Sequence, residues 1–162
     1  MQQISQEQLL HFIETALSED VRDGDHTSLA CVPDDAYGSA RLLVKDEGVL
    51  AGVALAVEIF RFVDPGMQIK LFMQDGELIK QGDIAFEVYA PSQAILKAER
   101  LALNCMQRMS GIATMTHKFV HLVADLPVTI LDTRKTTPLL RFLEKWAVRI
   151  GGGSNYRSGL YD

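Results

Sequence analysis

The string Asp132-Thr133-Arg134-Lys135-Thr136-Thr137 sets two adjacent cations among three hydroxyls. Arginine offers a planar fork of donors and lysine a compact point charge, so the pair suits an anion with carboxylate or phosphate oxygens. The string follows Pro127-Val128-Thr129-Ile130-Leu131-Asp132, a short β-branched run that reads as a buried parallel strand. In βα architectures the carboxyl ends of such strands carry the active site. Pro138 suits the first position of a helix over Leu139–Ile150, whose N-terminal N–H groups would add to an anion site. An ordinary polar βα loop is the alternative reading of the same six residues.

A second string, Gly151-Gly152-Gly153-Ser154-Asn155-Tyr156-Arg157, stops that helix. One glycine is enough for a cap; three permit close backbone approach to a ligand, with polar and cationic groups following at once. Arg100, Arg108 and Lys118 read from the pattern alone as solvent-facing helix charges. His117 and His121 are four apart, but no acid or cysteine beside them completes a metal-ligand set, and His26 stands apart. Cys31 and Cys105 match no metal spacing and read as buried thiols in a reducing cytosol. The stretch Gln74–Tyr89 has the look of a biotinyl-carrier hairpin. Its tip is Asp75-Gly76 rather than a modifiable lysine, so it reads as structural.

The elements that must position these residues follow from periodicity. Ser5-Gln6-Glu7-Gln8 has the form of a capping box ahead of an amphipathic helix over 6–18. Glu19 to Thr27 is polar, contains Gly24, and reads as a loop. Short strands are predicted at Ala40–Lys45, Gly48–Ala51, Met67–Met73 and Ile84–Tyr89, with a helix over Val53–Val63 and a turn at Gln74–Glu77. A helix over about 92–109 is expected to end at Ser110-Gly111, with a second over about 112–124. The first part is thus a mixed α+β layer on short antiparallel strands, and the second is helix–strand–helix, the start of a βα-repeating unit.

Charge divides the same way. The chain has 162 residues, 16 basic and 21 acidic, for a net charge of −5. Residues 1–96 hold six basic and 16 acidic residues, and residues 97–162 ten basic and five acidic. The most basic stretch, Arg134 to Arg157, is interleaved with an apolar helical pattern. That excludes a nucleic-acid-binding tail and leaves an anion-binding region or a solvated helix face. Composition is in the globular range, no apolar run reaches membrane-spanning length, and the opening MQQISQEQLL has neither the basic nor the apolar region of a signal peptide. A cytoplasmic location is expected.

Three strings occur together in order and spacing: Glu99-Arg100-Leu101-Ala102-Leu103-Asn104 running on to Ser110-Gly111-Ile112-Ala113-Thr114, Asp132-Thr133-Arg134-Lys135-Thr136-Thr137-Pro138, and Gly151 to Arg157. In these the chain resembles the quinolinate phosphoribosyltransferase family, and Gly24-Asp25-His26-Thr27 resembles that family's early Gly-Asp-x-Thr string. The resemblance covers nearly the whole chain. It implies an α/β fold: an N-terminal α+β sandwich domain over 1–110, then the beginning of an α/β barrel over 111–162. It implies transfer of phosphoribose from phosphoribosyl pyrophosphate to quinolinate, giving nicotinate mononucleotide, carbon dioxide and pyrophosphate in de novo NAD biosynthesis.

By resemblance, Arg134 and Lys135 act in the barrel site. Thr133, Tyr156 and Arg157 bind substrate beside them, and Arg100 is lent across a homodimer interface. Tyr156 stands where the family usually has histidine, so a hydrogen-bond donor replaces a titratable ring. Magnesium is implied as cofactor, with its ligands in the family's further barrel strands rather than in this chain. The family continues past the point where this chain stops at Gly159-Leu160-Tyr161-Asp162, so the chain reads as a fragment, expected to be inactive and poorly soluble alone. The partners expected are the two substrates and a second copy of the chain, with no nucleic acid and no membrane. A related pyridine or molybdenum-transport-associated phosphoribosyltransferase paralogue, or a noncatalytic dimerisation or binding module, are the alternatives.

Overall fold

The computed structural model describes residues 5–161. The Ser5 hydroxyl accepts the Gln8 N–H at 3.2 Å, and the Gln8 side chain accepts the Ser5 N–H at 3.1 Å, closing the capping box. Such a cap is worth about 1 kcal/mol. Helix α1, Gln6–Val21, follows and buries Leu9, Ile13 and Leu17 at helical spacing. The polar stretch after it is shorter than a full loop. Asp25 accepts the Ser28 N–H at 3.0 Å and the Ser28 hydroxyl at 2.5 Å, which starts a short helix α2, His26–Cys31. The hydroxyl and then the N–H hold the Asp25 carboxyl below the ordinary aspartate range. Cys31, at the end of α2, is exposed rather than buried.

Five strands are present among the described residues: β1 Tyr37–Leu43, β2 Gly48–Val49, β3 Gln68–Leu71, β4 Leu78–Ile79 and β5 Ile84–Pro91. β1, β5 and β3 form an antiparallel sheet with β5 in the centre, while β2 pairs with β4. Phe86, Val88 and Ala90 alternate along β5 and are buried. Helix α3, Val53–Val63, has the bounds its apolar pattern predicts and packs Phe60 edge-on to Phe86, with ring centroids 5.8 Å apart. Its capping residue Gly52 has no side chain, and the hairpin tip supplies the missing acceptor. Asp75 accepts the Val53 N–H at 2.7 Å and the Ala54 N–H at 3.3 Å. The carrier-like hairpin is therefore a helix cap.

The helix expected to stop at Ser110-Gly111 does not stop there. Helix α4 runs unbroken over Ser92–Leu122, 31 residues, and Gly111 has open space around its α-carbon. Ser110 and Thr114, one turn apart, work on the neighbouring segment instead. The Ser110 hydroxyl accepts the Ala51 N–H at 3.0 Å and donates to the Ala51 carbonyl at 3.1 Å, and the Thr114 hydroxyl accepts the Val49 N–H at 2.9 Å. Those bonds satisfy backbone groups of the segment lying against α4, which would otherwise be buried unpaired. Cys105, on the same helix, is buried, and burial pushes its thiol up to about 11.

Helix α5, Arg141–Ile150, begins three residues after Pro138, with Leu140 as its cap, so proline is not its first residue. Leu143 and Ala147 of α5 join the buried cluster formed by α1, α3, α4 and β5. The run 127–132 is not a ladder-forming strand. It makes one parallel bridge, Leu131 to Ser154, and Val128 and Leu131 are exposed. A buried parallel strand needs neighbours on both edges and layers on both faces. Among the described residues its ladder-type backbone bonds go to the Ser154 segment alone, through Ser154 N–H to Ile130 at 2.9 Å and Asp132 N–H to Ser154 at 3.1 Å.

Candidate functional site

Those two backbone bonds bring the Asp132–Thr137 loop beside the Ser154–Arg157 loop. The Asp132 side chain then ties them. Its Oδ1 accepts the Tyr156 N–H at 2.8 Å and lies 2.5 Å from Lys145 Nζ on α5, with both side chains about nineteen-twentieths buried (5% and 6% exposed). The Asn155 amide, with its nitrogen turned toward the carboxylate, donates to Asp132 Oδ2 at 3.1 Å and to the Lys145 carbonyl at 2.8 Å.

Two more side chains of α5 grip the loops. Arg141 donates to the Ser158 carbonyl at 2.9 Å and to the Thr136 hydroxyl at 3.1 Å, so it touches the first string and the residue that follows the second. Glu144 accepts the Thr137 N–H at 3.3 Å and the Arg108 Nε at 2.9 Å, and Arg108 also reaches the Thr137 hydroxyl at 2.5 Å. Arg108 is therefore not a free helix charge; it clamps α4 to the cationic loop. Burial raises the Glu144 carboxyl, but the bonds from Arg108 and Thr137 outweigh it and hold the group below the ordinary glutamate range.

The sequence-predicted binding residues remain available. Thr133 is exposed and accepts the Lys135 N–H at 3.0 Å, which bends the chain between the two. Lys135 is exposed and Arg134 half-buried, and neither enters an ion pair among the described residues; nor does Arg157. Arg157 instead lies over the Tyr156 ring, 5.5 Å from its centroid. Three uncommitted cations thus sit on two loops zipped together, which is an arrangement for holding an anion. Tyr156 also lines a groove of about 1600 Å³ between α1, α4 and α5, whose wall includes Arg100, Arg108, Arg141 and Arg149. Arg134, Lys135 and Arg157 are not in that wall. Arg100 projects from α4 and pairs with Asp20 at 3.0 Å, with 70% of its side chain exposed. Within one chain it shares the groove wall with Tyr156 but makes its ion pair with Asp20 rather than with either loop.

The glycines have a different role from the one their sequence suggests. A Cβ on Gly151 would lie 2.4 Å from the Ala113 carbonyl oxygen, and one on Gly153 would lie 2.9 Å from Thr116. Both close approaches that α4 makes here are to α5 and its exit, so these glycines serve helix packing.

No three His, Cys, Asp or Glu side chains cluster as a metal-binding group among the described residues. Asp132, the carboxylate between the two loops, already has Lys145, the Tyr156 N–H and the Asn155 amide on its oxygens. The residues present do not fit magnesium.

Sequence reasoning did not pick out Asp132, Lys145, Arg141, Arg108 and Glu144 as site-building residues. One signal was available: Arg141 and Lys145 are four apart, with Glu144 beside them, on a helix whose apolar residues must face the core.

The model of the quinolinate phosphoribosyl transferase N-terminal domain matches residues 25–110, and that of the C-terminal domain matches residues 112–162. A chloroplastic nicotinate-nucleotide pyrophosphorylase (carboxylating) of Oryza sativa subsp. japonica is 48% identical over 151 residues, covering 93% of this chain and 40% of that protein. A probable nicotinate-nucleotide pyrophosphorylase (carboxylating) of Bacillus subtilis (strain 168) is 43% identical over 155 residues, covering 96% and 53%. The crystal structure of NadC from Streptococcus pyogenes shares this α/β fold with a TM-score of 0.94 at 35% identity, over 100% of this chain and 57% of that one. The chain spans about half the length of the curated relatives it matches. No helix among the described residues is long and apolar enough to cross a membrane.

Proposed function

The chain belongs to the quinolinate phosphoribosyltransferase family, and from that membership we propose that the protein joins quinolinate to phosphoribosyl pyrophosphate, forming nicotinate mononucleotide, carbon dioxide and pyrophosphate. The observation that carries this reading is the pair of loops tied through Asp132, which presents Arg134, Lys135 and Arg157 without acidic partners among the described residues. Quinolinate is a dianion and its co-substrate carries several phosphate charges, so both need cations held ready before they arrive.

The chemistry asks little else of the protein. The pyridine nitrogen attacks C1 of the ribose as the bond to pyrophosphate breaks, building oxocarbenium character and charge on the leaving oxygen. Fixed cations stabilise that charge without having to reorganise. The positive pyridinium nitrogen stabilises the electron pair left on its neighbouring carbon when that carbon's carboxylate departs as carbon dioxide, and the carbon then takes up a proton. The side chains hold the ring's carboxylates and align it with the ribose. Arg134 suits a carboxylate fork, Lys135 and Arg157 suit phosphate or carboxylate oxygens, and Thr133 and Tyr156 supply hydroxyls.

Arg100 completes this site from the second subunit of a homodimer. Its exposed pairing with Asp20 favours that role, because exposed ion pairs are worth only about 0.2–1 kcal/mol and a ligand carboxylate exchanges for Asp20 at small cost. The acidic first segment and basic second segment, facing each other across a two-fold axis, are complementary in charge.

The test is to supply the whole gene product with quinolinate labelled on its 2-carboxylate, phosphoribosyl pyrophosphate and magnesium. Labelled carbon dioxide and nicotinate mononucleotide should appear together, and nicotinate offered in place of quinolinate should give no nucleotide. Nucleotide formed from nicotinate but not from quinolinate would overturn the assignment.

A further inference from the structure

Two loops carrying Arg134, Lys135 and Arg157 repel each other when no anion lies between them, yet the fold holds them adjacent. The two backbone hydrogen bonds that make up the single Leu131–Ser154 bridge are a weak fastening for that purpose. The stronger one is the Asp132 carboxylate. It stands at the base of the first loop, accepts the Tyr156 N–H of the second, and is anchored to α5 by Lys145. Asn155 fills its other oxygen. A charged pair at this depth, made by residues 13 apart in sequence, is expensive to bury for packing alone, and apolar residues of similar size fill such space at least as well.

We infer that Asp132 and Lys145 form a positioning pair that sets the spacing between the two cationic strings, so that both engage one bound substrate set. Neither residue touches substrate in this arrangement. The carboxylate orients the Tyr156 backbone and with it the Tyr156 and Arg157 side chains. Lys145 fixes the carboxylate, so that it does not turn outward to pair with Arg134 or Lys135 and occupy the cations meant for the ligand. The inference rests on the anion-binding reading of these loops given above. It adds to that reading a buried charge whose removal affects both loops together.

The experiment uses the whole gene product with Lys145→Met, and with Asp132→Asn/Lys145→Met. The double variant removes both charges while keeping an acceptor for the Tyr156 N–H, so it serves if the single variant does not fold. Two measurements are made on each. Backbone hydrogen exchange should quicken over both 132–137 and 154–158, with α1 and α3 unchanged. Turnover per folded molecule should lose at least tenfold in kcat/KM for quinolinate, with KM rising, because the ligand meets two loops at the wrong spacing; Lys145→Arg should recover part of the loss. Exchange that quickens in only one loop, or unchanged exchange, overturns the inference whether or not the protein is active. Unchanged kcat/KM in an active variant also overturns it. A wild-type protein that makes no nucleotide counts against the proposed function, and the exchange result then decides the pair by itself.

Discussion

The close approach of α5 to α4 makes Gly151 a sharp test of the packing that supports the site. Replacing Gly151 by alanine puts a methyl 2.4 Å from the Ala113 carbonyl oxygen, 2.8 Å from Thr116 Cβ and 3.0 Å from Ala113 Cα. These distances fall short of ordinary carbon contacts by about 1 Å, and two of the three atoms are backbone of α4, which has no rotamer with which to give way. Relief requires α5 to move off α4. Overpacking costs about 1–3 kcal/mol, and an obstruction by backbone belongs at the upper end, about 3. In a protein of this size that corresponds to a fall in Tm of roughly 6–12 °C. Because Arg141, Glu144 and Lys145 ride on α5, kcat/KM should fall as well. Gly111→Ala is the control. It lies inside α4 with nothing within 4 Å of the added carbon, so alanine should stabilise by about 0.5–1 kcal/mol. Thermal unfolding followed by far-ultraviolet circular dichroism and by Trp146 fluorescence measures both. A Gly151→Ala protein within about 0.5 kcal/mol of wild type would refute the packing argument, and a destabilising Gly111→Ala would refute the uninterrupted helix.

Arg134→Ala and Lys135→Ala should each lower kcat/KM about tenfold or more, the equivalent of one lost charge-assisted hydrogen bond at ~1.5–3 kcal/mol, with Tm nearly unchanged; near-wild-type kinetics in both would return the loop to an ordinary connection. Glu144 has a folded pKa below its ordinary value, so its contribution to stability is present above the unfolded pKa and is lost as pH falls through the folded one. The Tm difference between wild type and Glu144→Gln should therefore be largest near neutrality and shrink in acid, and a pH-independent difference would contradict the Arg108 clamp. At pH 8, Cys31 should react with a thiol reagent in the native protein while Cys105, with its pKa pushed up to about 11, reacts only on unfolding; two fast-reacting thiols would contradict the burial. If Arg100 serves the partner's site, Arg100→Ala and Lys135→Ala are each nearly inactive alone, and mixing them recovers up to about a quarter of wild-type activity with random subunit exchange; no recovery despite demonstrated exchange would confine Arg100 to its own chain.

What could be read from the sequence depended on how local the cause was. The capping box and the apolar rhythm of Val53–Val63 act within a few residues, and both elements stand where the pattern puts them. Ser110-Gly111 looked like a stop because serine and glycine favour helix ends. The stop fails because the Ser110 hydroxyl bonds to Ala51, 59 residues away, and the periodicity carries on through Ala113 and Thr116. Pro138 favours a helix start locally, yet α5 starts only at Arg141, where the core takes Leu143 and Ala147. The triple glycine was legible as a helix stop but not as a contact, since the helix it must admit is about 35 residues upstream.

The cationic loops illustrate the same limit for chemistry. Arg134, Lys135 and Arg157 stood out in sequence through the strings that carry the family resemblance, and the structure sets them on two adjacent loops. The groups that arrange them did not, because each is paired with a residue far from it in the chain: Asp132 with Lys145, Arg108 with Glu144. Pairing turns Asp132, Glu144 and Lys145 away from solvent, while Arg108 stays partly exposed. In sequence the helical ones, Arg108, Glu144 and Lys145, pass for the solvated face of an amphipathic helix. The distinction is one of burial, and for Lys145 it is decisive. A lysine on a solvated face stays in water, while this one is 6% exposed and meets a carboxylate that is 5% exposed. Desolvating both charges is costly, which accords with the positioning role inferred for the pair. The groups held to the pair are the Tyr156 N–H, the Asn155 amide and the loop that begins at Asp132.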